Sequence, residues 1–317
     1  MQFNCVHLTF SNYLTVHHYN SYRQFIRQKF GVPVLKIPLN GGFSCPNRDG
    51  SKSTTGCFFC DNRSFSPAFN RIEPPHIQLQ KVINNTSNRF RAFIPYLQPF
   101  SNTYGSVEEL SLIYESLITL PGVVGLAIGT RPDCFSDELF TYLSDLNRRT
   151  YLSIELGLQS AHDSTLLRIN RGHTFEDFVK TSNRLADSGI EVVAHVMLGL
   201  PGENPDIMIQ TARELSKLKI KGVKIHQLMI IKGTIFEELF LRNEINTLDI
   251  YNYSELLCDF LDNLRPDQLI HRLMADSKPE HGLIAPVWSA KKTDSLNIIH
   301  KIMDQKGSIQ GAKFYSG

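Results

Sequence analysis

The chain has 317 residues, 42% hydrophobic and 20% charged, with a formal net charge of +2 when histidines are neutral. This is the composition of a globular protein with a sizeable core, organised as one large domain or two small ones. No run of about 18 apolar residues could span a bilayer. Met1 to Tyr13 carry no basic segment followed by an apolar stretch, so no secretory signal is read there and a cytoplasmic protein is expected. So small an excess of positive charge does not by itself indicate nucleic acid.

Residues 1–30 read as an N-terminal extension. From there, short apolar runs alternate with amphipathic segments. The runs Pro33–Pro38, Phe93–Leu97, Val123–Ile128, Tyr151–Leu156, Val192–Leu198 and Val223–Ile230 read as strands covered on both faces. Helix starts lie between them. Ser106 precedes Glu108 and Glu109 in a capping-box pattern. Ser136 precedes Asp137 and Glu138, acids suited to a first turn. Thr174 opens a helix that stops at Gly189, and Asn204 with Pro205 offers an N-cap and a first-turn proline. Strands alternating with helices imply right-handed βαβ units and a parallel sheet. About six units fit residues 31–245, fewer than the eight of a closed barrel. The expected fold is α/β, an open partial (β/α)6 TIM-like barrel. Residues 246–317 begin helically, become irregular through Pro279 to Trp288, and are expected to pack on the barrel.

The six cysteines are Cys5, Cys45, Cys57, Cys60, Cys134 and Cys258. A secreted disulfide framework is normally denser, whereas three cysteines within sixteen positions point to metal or redox chemistry. The spacing is Cys45-x11-Cys57-x2-Cys60, directly after the first strand. Thiolates suit iron–sulfur clusters and zinc. A cluster held by protein alone takes four thiolates, so three would leave one iron open to a ligand. A zinc site completed by a histidine or by Asp61 fits the same spacing, and spacing alone does not separate the two.

Ligands of α/β barrels gather at the C-terminal ends of the strands. Here those ends carry Asn102-Thr103-Tyr104-Gly105, Gly129-Thr130-Arg131-Pro132-Asp133, Glu155 with Gly157-Leu158-Gln159-Ser160, Gly199-Leu200-Pro201-Gly202-Glu203, and His226-Gln227. Parallel strands would turn all of them toward one mouth.

With these residues in order, the chain resembles the radical S-adenosylmethionine (SAM) superfamily. More narrowly it resembles the YhcC/YtqA-like members, relatives of the Elongator catalytic subunit and of oxygen-independent coproporphyrinogen oxidase. The resemblance is carried by Cys45-Pro46-Asn47-Arg48-Asp49-Gly50, Gly56-Cys57-Phe58-Phe59-Cys60, Thr130-Arg131-Pro132-Asp133, Glu155 to Ser160, Asn170-Arg171-Gly172-His173, Gly199 to Gly202, Lys232-Gly233-Thr234, Ile284 to Trp288 and Gln310-Gly311. It implies a 4Fe–4S cluster on Cys45, Cys57 and Cys60, whose open iron chelates SAM. Reductive cleavage then gives a 5′-deoxyadenosyl radical. It further implies cofactor contacts from Asn102, Thr103, Tyr104, Thr130, Glu155 and Gln159, and an Arg171 fork on the methionine carboxylate. Two departures stand out. The first cysteine gap is eleven residues rather than three, and Asn102-Thr103-Tyr104 replaces the usual Gly-Gly-Glu.

Each residue also has a plainer role. Glu155 could sit in a barrel salt bridge, Gln159 could cap a turn, and Arg171 could share a solvated face with Arg168. His17 and His18 read as surface, and Cys5, Cys134 and Cys258 as packing residues. By resemblance the substrate is transfer RNA, modified at the wobble-uridine side chain, with a flavodoxin or ferredoxin as electron donor. Lys217, Lys219, Lys221, Lys224, Lys291, Lys292 and Lys301 could face phosphates or simply solvate the surface. The competing functions are radical chemistry on a small molecule or protein, and a zinc-stabilised RNA-binding module without catalysis.

Overall fold

The computed structural model describes residues 18–86 and 88–314; Cys5, His17 and most of the N-terminal extension lie outside them. Nine strands follow in order: β1 (Val34–Leu39), β2 (Ala92–Leu97), β3 (Gly125–Thr130), β4 (Tyr151–Gln159), β5 (Glu191–Leu198), β6 (Gly222–Gln227), β7 (Ile230–Ile231), β8 (Leu269–Arg272) and β9 (Leu283–Ala285). The main sheet is parallel throughout, in the order β1-β2-β3-β4-β5-β6-β8. The six runs read from the sequence form its first six strands. The seventh, β8, comes from the C-terminal segment. It is four residues long and half polar, Leu269-Ile270-His271-Arg272, so it carries no apolar run to betray it. The run read as Val223–Ile230 divides into β6 and the short β7, which pairs antiparallel with β9.

The sheet curls. Lys224 on β6 donates to the Tyr96 hydroxyl on β2 at 3.0 Å. In a flat sheet those strands would lie about 19 Å apart, four spacings of about 4.8 Å. The helix Tyr22–Phe30 plugs the N-terminal end of the resulting barrel with Ile26 against Ile94, Tyr96 and Ala127. Its Tyr22 ring stacks on His271 of β8 with centroids 3.8 Å apart and lies under Lys36 of β1. One aromatic side chain thus fills the seam between the two edge strands.

The outer layer is built by helices whose apolar faces pack on the sheet. Leu110, Tyr114 and Leu117, then Leu139, Leu143 and Leu146, then Phe178 and Leu185, are all buried in one core. Each such leucine contributes about 2 kcal/mol by leaving water. The caps read from sequence form. Ser106 and Thr174 head full capping boxes, Ser136 accepts from the Leu139 amide, and Asn204 accepts from the Ile207 amide with Pro205 following. These caps fix where each helix begins and so where each strand end delivers its polar residues.

Replacing Ser106 with Ala removes the hydroxyl that accepts from the Glu109 amide, while the backbone amide of residue 106 can still donate to the Glu109 carboxylate. The replacement is expected to cost about 1 kcal/mol, read as a lower denaturant midpoint with an unchanged slope.

Candidate active site

The cysteine loop follows β1 and folds back on itself. The amides of Arg48 and Asp49 donate to the Cys45 carbonyl at 2.8 and 3.1 Å, and the Lys52 amide donates to that of Pro46 at 2.8 Å. Gly56 has a φ of +73°, and a Cβ there would stand 2.8 Å from the Arg48 Nε, so a side chain is excluded. The Arg48 guanidinium donates to the Cys60 carbonyl at 2.5 Å.

Residues just beyond β4 then clamp the loop. The Phe58 amide donates to the Ile169 carbonyl at 3.1 Å, and the Asn170 amide group donates to the Gly56 carbonyl at 2.8 Å. Asn47, almost fully buried, donates to the Asn170 carbonyl at 2.6 Å and to the Cys57 sulfur at 3.5 Å. This is the path of the eleven-residue insertion that the spacing left undefined. Cys45, Cys57 and Cys60 all line one cavity at the mouth of the barrel. Burial and the neighbouring Cys57 push the Cys60 thiol up to about 12, while Arg48 and Arg171 pull it down. Among the described residues, no three His, Cys, Asp or Glu side chains are arranged to hold a single metal ion.

The ends of β2, β3 and β4 line the same cavity with Ser101, Thr130, Arg131, Gly157 and Gln159, and Arg171 joins them. Arg171 donates to the Cys57 sulfur at 3.3 Å and to the Gly157 carbonyl at 2.6 Å. A Cβ on Gly157 would come within 2.5 Å of that guanidinium, so glycine is what lets Arg171 reach the thiol. Gln159 has a φ of +83°, in the left-handed region where a non-glycine residue costs about 1 kcal/mol. Four buried polar atoms here have no hydrogen-bond partner among the described residues: Ser101 Oγ, Arg131 Nη1, Gln159 Oε1 and Arg171 Nε. Orphaned buried donors and acceptors around one cavity are a site prepared for a polar ligand. Arg131 is fixed by a bidentate pair to Asp133, both bonds 2.9 Å, and its charge holds the Asp133 carboxyl far below the usual range against the opposing effect of burial.

Deeper in the barrel a polar cluster replaces the apolar filling of an ordinary barrel core. Glu155 on β4 is fully buried and binds Lys36 of β1, Lys224 of β6 at 2.7 Å and His195 of β5 at 2.6 Å. Burial raises its pKa, but the lysine charges prevail and hold it ionised. Burial lowers Lys224 to about 7, assisted by Arg272 and Lys36 and opposed by Glu155. Burial likewise lowers His195 to about 4, so the ring is neutral at pH 7.

Of the residues that the motifs single out, the cavity gathers the three cysteines, Thr130, Glu155, Gln159 and Arg171. Both Glu155 oxygens are already engaged. Asn102, Thr103 and Tyr104 do not line it. The Asn102 amide is held by the Pro99 and Gly129 carbonyls, the Thr103 hydroxyl by Thr130 at 2.5 Å, and the Tyr104 hydroxyl by Ser51 at 2.8 Å. Pro99, Phe100 and Ser101 face the cavity in their place.

The lysines need correction too. Lys224 is inside the barrel, while Lys217 and Lys219 precede β6, at the end of the sheet opposite the mouth, paired with Glu214 and Asp187. Lys292 pairs with Asp276. Cys134 and Cys258 are buried. His18 binds the Ser308 carbonyl and Asp304. Lys36, Tyr96, His195, Lys224 and Arg272 were missed. Four of them interrupt apolar strands with a polar side chain, the one signal that could have exposed them.

A curled parallel sheet with three thiols and a ring of unpartnered polar groups at its mouth defines the class. Residues 45–215 match the model of the radical SAM superfamily, and residues 220–305 match the radical SAM C-terminal domain. The chain belongs to the radical SAM superfamily, whose cofactors are a 4Fe–4S cluster and SAM. Within it, the chain is 39% identical to the uncharacterized protein YtqA of Bacillus subtilis over 94% of this chain and 92% of the relative, the branch to which the order of motifs pointed. It is 34% identical to the tRNA uridine(34) acetyltransferase of Methanocaldococcus jannaschii over 58% of this chain but only 33% of that protein. The fold is shared with archaeal Elp3 of Methanocaldococcus infernus, at a TM-score of 0.65 and 19% identity, covering 87% of this chain and 64% of that one.

His195 makes stability depend on pH. Its folded pKa of about 4 lies below the unfolded value, so between those values the unfolded chain binds a proton that the fold refuses. Stability is therefore lost as pH falls through that window, by about 2 kcal/mol between pH 7 and pH 5 for this group. In denaturant titrations at the two pH values, His195→Gln should lose about 2 kcal/mol less than wild type on acidification.

Proposed function

We propose that this chain holds a 4Fe–4S cluster on Cys45, Cys57 and Cys60, binds SAM beside it at the ends of β2, β3 and β4, and modifies the side chain of the wobble uridine of transfer RNA. The carrying observation is the set of unpartnered buried atoms, Ser101 Oγ, Arg131 Nη1, Gln159 Oε1 and Arg171 Nε, on residues that line the same cavity as the three cysteines. Cationic donors and neutral acceptors in one place suit a ligand with a carboxylate, an ammonium and a nucleoside.

When bound, the cluster and SAM supply a 5′-deoxyadenosyl radical after one-electron reduction by a flavodoxin or ferredoxin. The chain's residues supply position. Asn47 and Arg171 donate to the Cys57 sulfur and so fix where it sits. Arg171 stands between that sulfur and the end of β4, where its fork can take a carboxylate. Thr130 and Gln159 offer a hydroxyl and an amide along the same wall. Glu155 is the positioning carboxylate, holding Lys36, Lys224 and His195 beneath.

Transfer RNA is favoured by the similarity to a tRNA uridine(34) acetyltransferase. Three exposed cations lie close together: Arg63, in the short helix Asn62–Phe65 and paired with Asp61 at 2.6 Å, is beside Gly233; the Lys232 amide binds the Gly282 carbonyl; and Lys278 is 3.7 Å from Glu280. Cations so grouped could engage a phosphate backbone. Among the described residues no helix is long and apolar enough to cross a membrane, and we place the enzyme in the cytoplasm.

Cys57→Ala should abolish both the absorbance near about 400 nm of anaerobically reconstituted protein and SAM cleavage; wild-type cleavage would refute the ligand assignment. The tRNA assignment has its own measurement. Digested tRNA from a deletion strain should lack, or accumulate the precursor of, one wobble-uridine nucleoside, restored by the wild-type gene and not by Cys57→Ala. An unchanged nucleoside profile would move the substrate to a small molecule or a protein.

A further inference from the structure

Cationic side chains outnumber acids in the cavity. Its lining includes Arg48, Arg131, Arg171, Lys224 and Arg272, against the carboxylates Glu155 and Asp276. Most of these charges have visible partners. Arg131 is paired with Asp133, Arg48 caps the Cys60 carbonyl, and Arg171 holds the Cys57 sulfur. Glu155 is shared by Lys36 and Lys224, and Asp276 pairs with Lys292 at 2.8 Å.

Arg272 is the exception. It ends β8 and lines the cavity, and its Nε is buried with no hydrogen-bond partner among the described residues. Both acids of the cavity wall are engaged by lysines. The histidines around it bring no negative charge, and burial holds both His195 and His226 neutral. Burial also presses on Arg272, lowering its pKa despite the help of Tyr96, Glu155 and Asp276. A largely buried guanidinium with no hydrogen-bonded or ion-paired partner is destabilising, and such groups persist where function uses them. Arg272 also stands apart from the cofactor wall. In the sheet it is three strands along from β4, whose end carries Gln159.

We propose that Arg272 anchors an anionic group of the substrate, a carboxylate or a phosphate, inside the cavity next to Lys224. The planar fork of a guanidinium matches either group with two parallel hydrogen bonds. Lys224, lowered to about 7, adds a donor whose charge the arriving anion would restore. This deepens the reading of the cavity as a radical SAM substrate chamber and rests on it; it does not depend on the substrate's being RNA. The anchored group would fix which carbon faces the cofactor, because an anion pinned at β8 leaves the rest of the substrate to extend toward the thiols.

The test uses cluster-reconstituted protein saturated with SAM, titrated by calorimetry with acetate, inorganic phosphate and neutral acetamide. Wild type should bind acetate or phosphate and not acetamide, and the tighter of the two anions names the source of the charge. Arg272→Met should weaken that anion about tenfold or more, Arg272→Lys should keep part of it, and SAM affinity should be unchanged in both. Removing an uncompensated buried cation should leave the melting temperature equal or higher. Should Arg272→Met not fold, Arg272→Gln carries the same comparison. Equal anion affinity in wild type and variant overturns the proposal. So does a loss of SAM affinity in the variant, which would assign Arg272 to the cofactor. Anion binding that depends on Arg272, in a protein that never cleaves SAM, would overturn the radical reading alone. SAM cleavage without such binding would overturn this proposal alone.

Discussion

One carboxylate, cut off from solvent, ties the inside of the barrel together. Glu155 reaches from β4 to Lys36 on β1, His195 on β5 and Lys224 on β6. Taking a charge out of water costs several kcal/mol, and only close partners offset it. Four strands are therefore committed to one arrangement by a single side chain. An apolar core would hold such a sheet at least as well, but it would fill the space. Lysines, histidines and Tyr96 leave a polar chamber instead, open to the thiols above.

The second constraint is the joining of the cysteine loop to β4. Gly157 gives Arg171 room, Arg171 reaches Cys57, and Asn47 and Asn170 close the same contact from either side. The thiols and the cofactor wall are thereby one rigid unit. Where Gln159 turns the chain at positive φ, the backbone bears strain at the place where β4 must stop running straight and present its side chains.

Much of this was legible in the sequence because its signals are local. Apolar runs marked six strands, and Ser106, Ser136, Thr174 and Asn204 marked helix starts, since caps and burial act within a few residues. What escaped depends on distance. β8 is too short and too polar to announce itself, and it exists because β6 offers it an edge. Lys224 stood in a row of lysines and looked like a surface charge. Only the curl of the sheet shows that its neighbours on β2 and β4 are Tyr96 and Glu155. Asn102-Thr103-Tyr104 stood in the right stretch of sequence, but a turn after β2 gives the cavity to the three residues before them. A motif locates a loop; it does not say which of its side chains face inward.

The clamp on the cysteine loop also decides what the placement of the thiols depends on. Its partners, Ile169 to Arg171 and Phe236, whose amide donates to the Phe58 carbonyl at 3.1 Å, lie far downstream; Arg171 is 114 residues beyond Cys57. The three sulfurs therefore share one cavity through contacts that run from the loop after β1 to the segment after β6. Their geometry is a property of the whole sheet rather than of a local motif. A zinc finger is the opposite case, with the metal organising an otherwise unfolded chain.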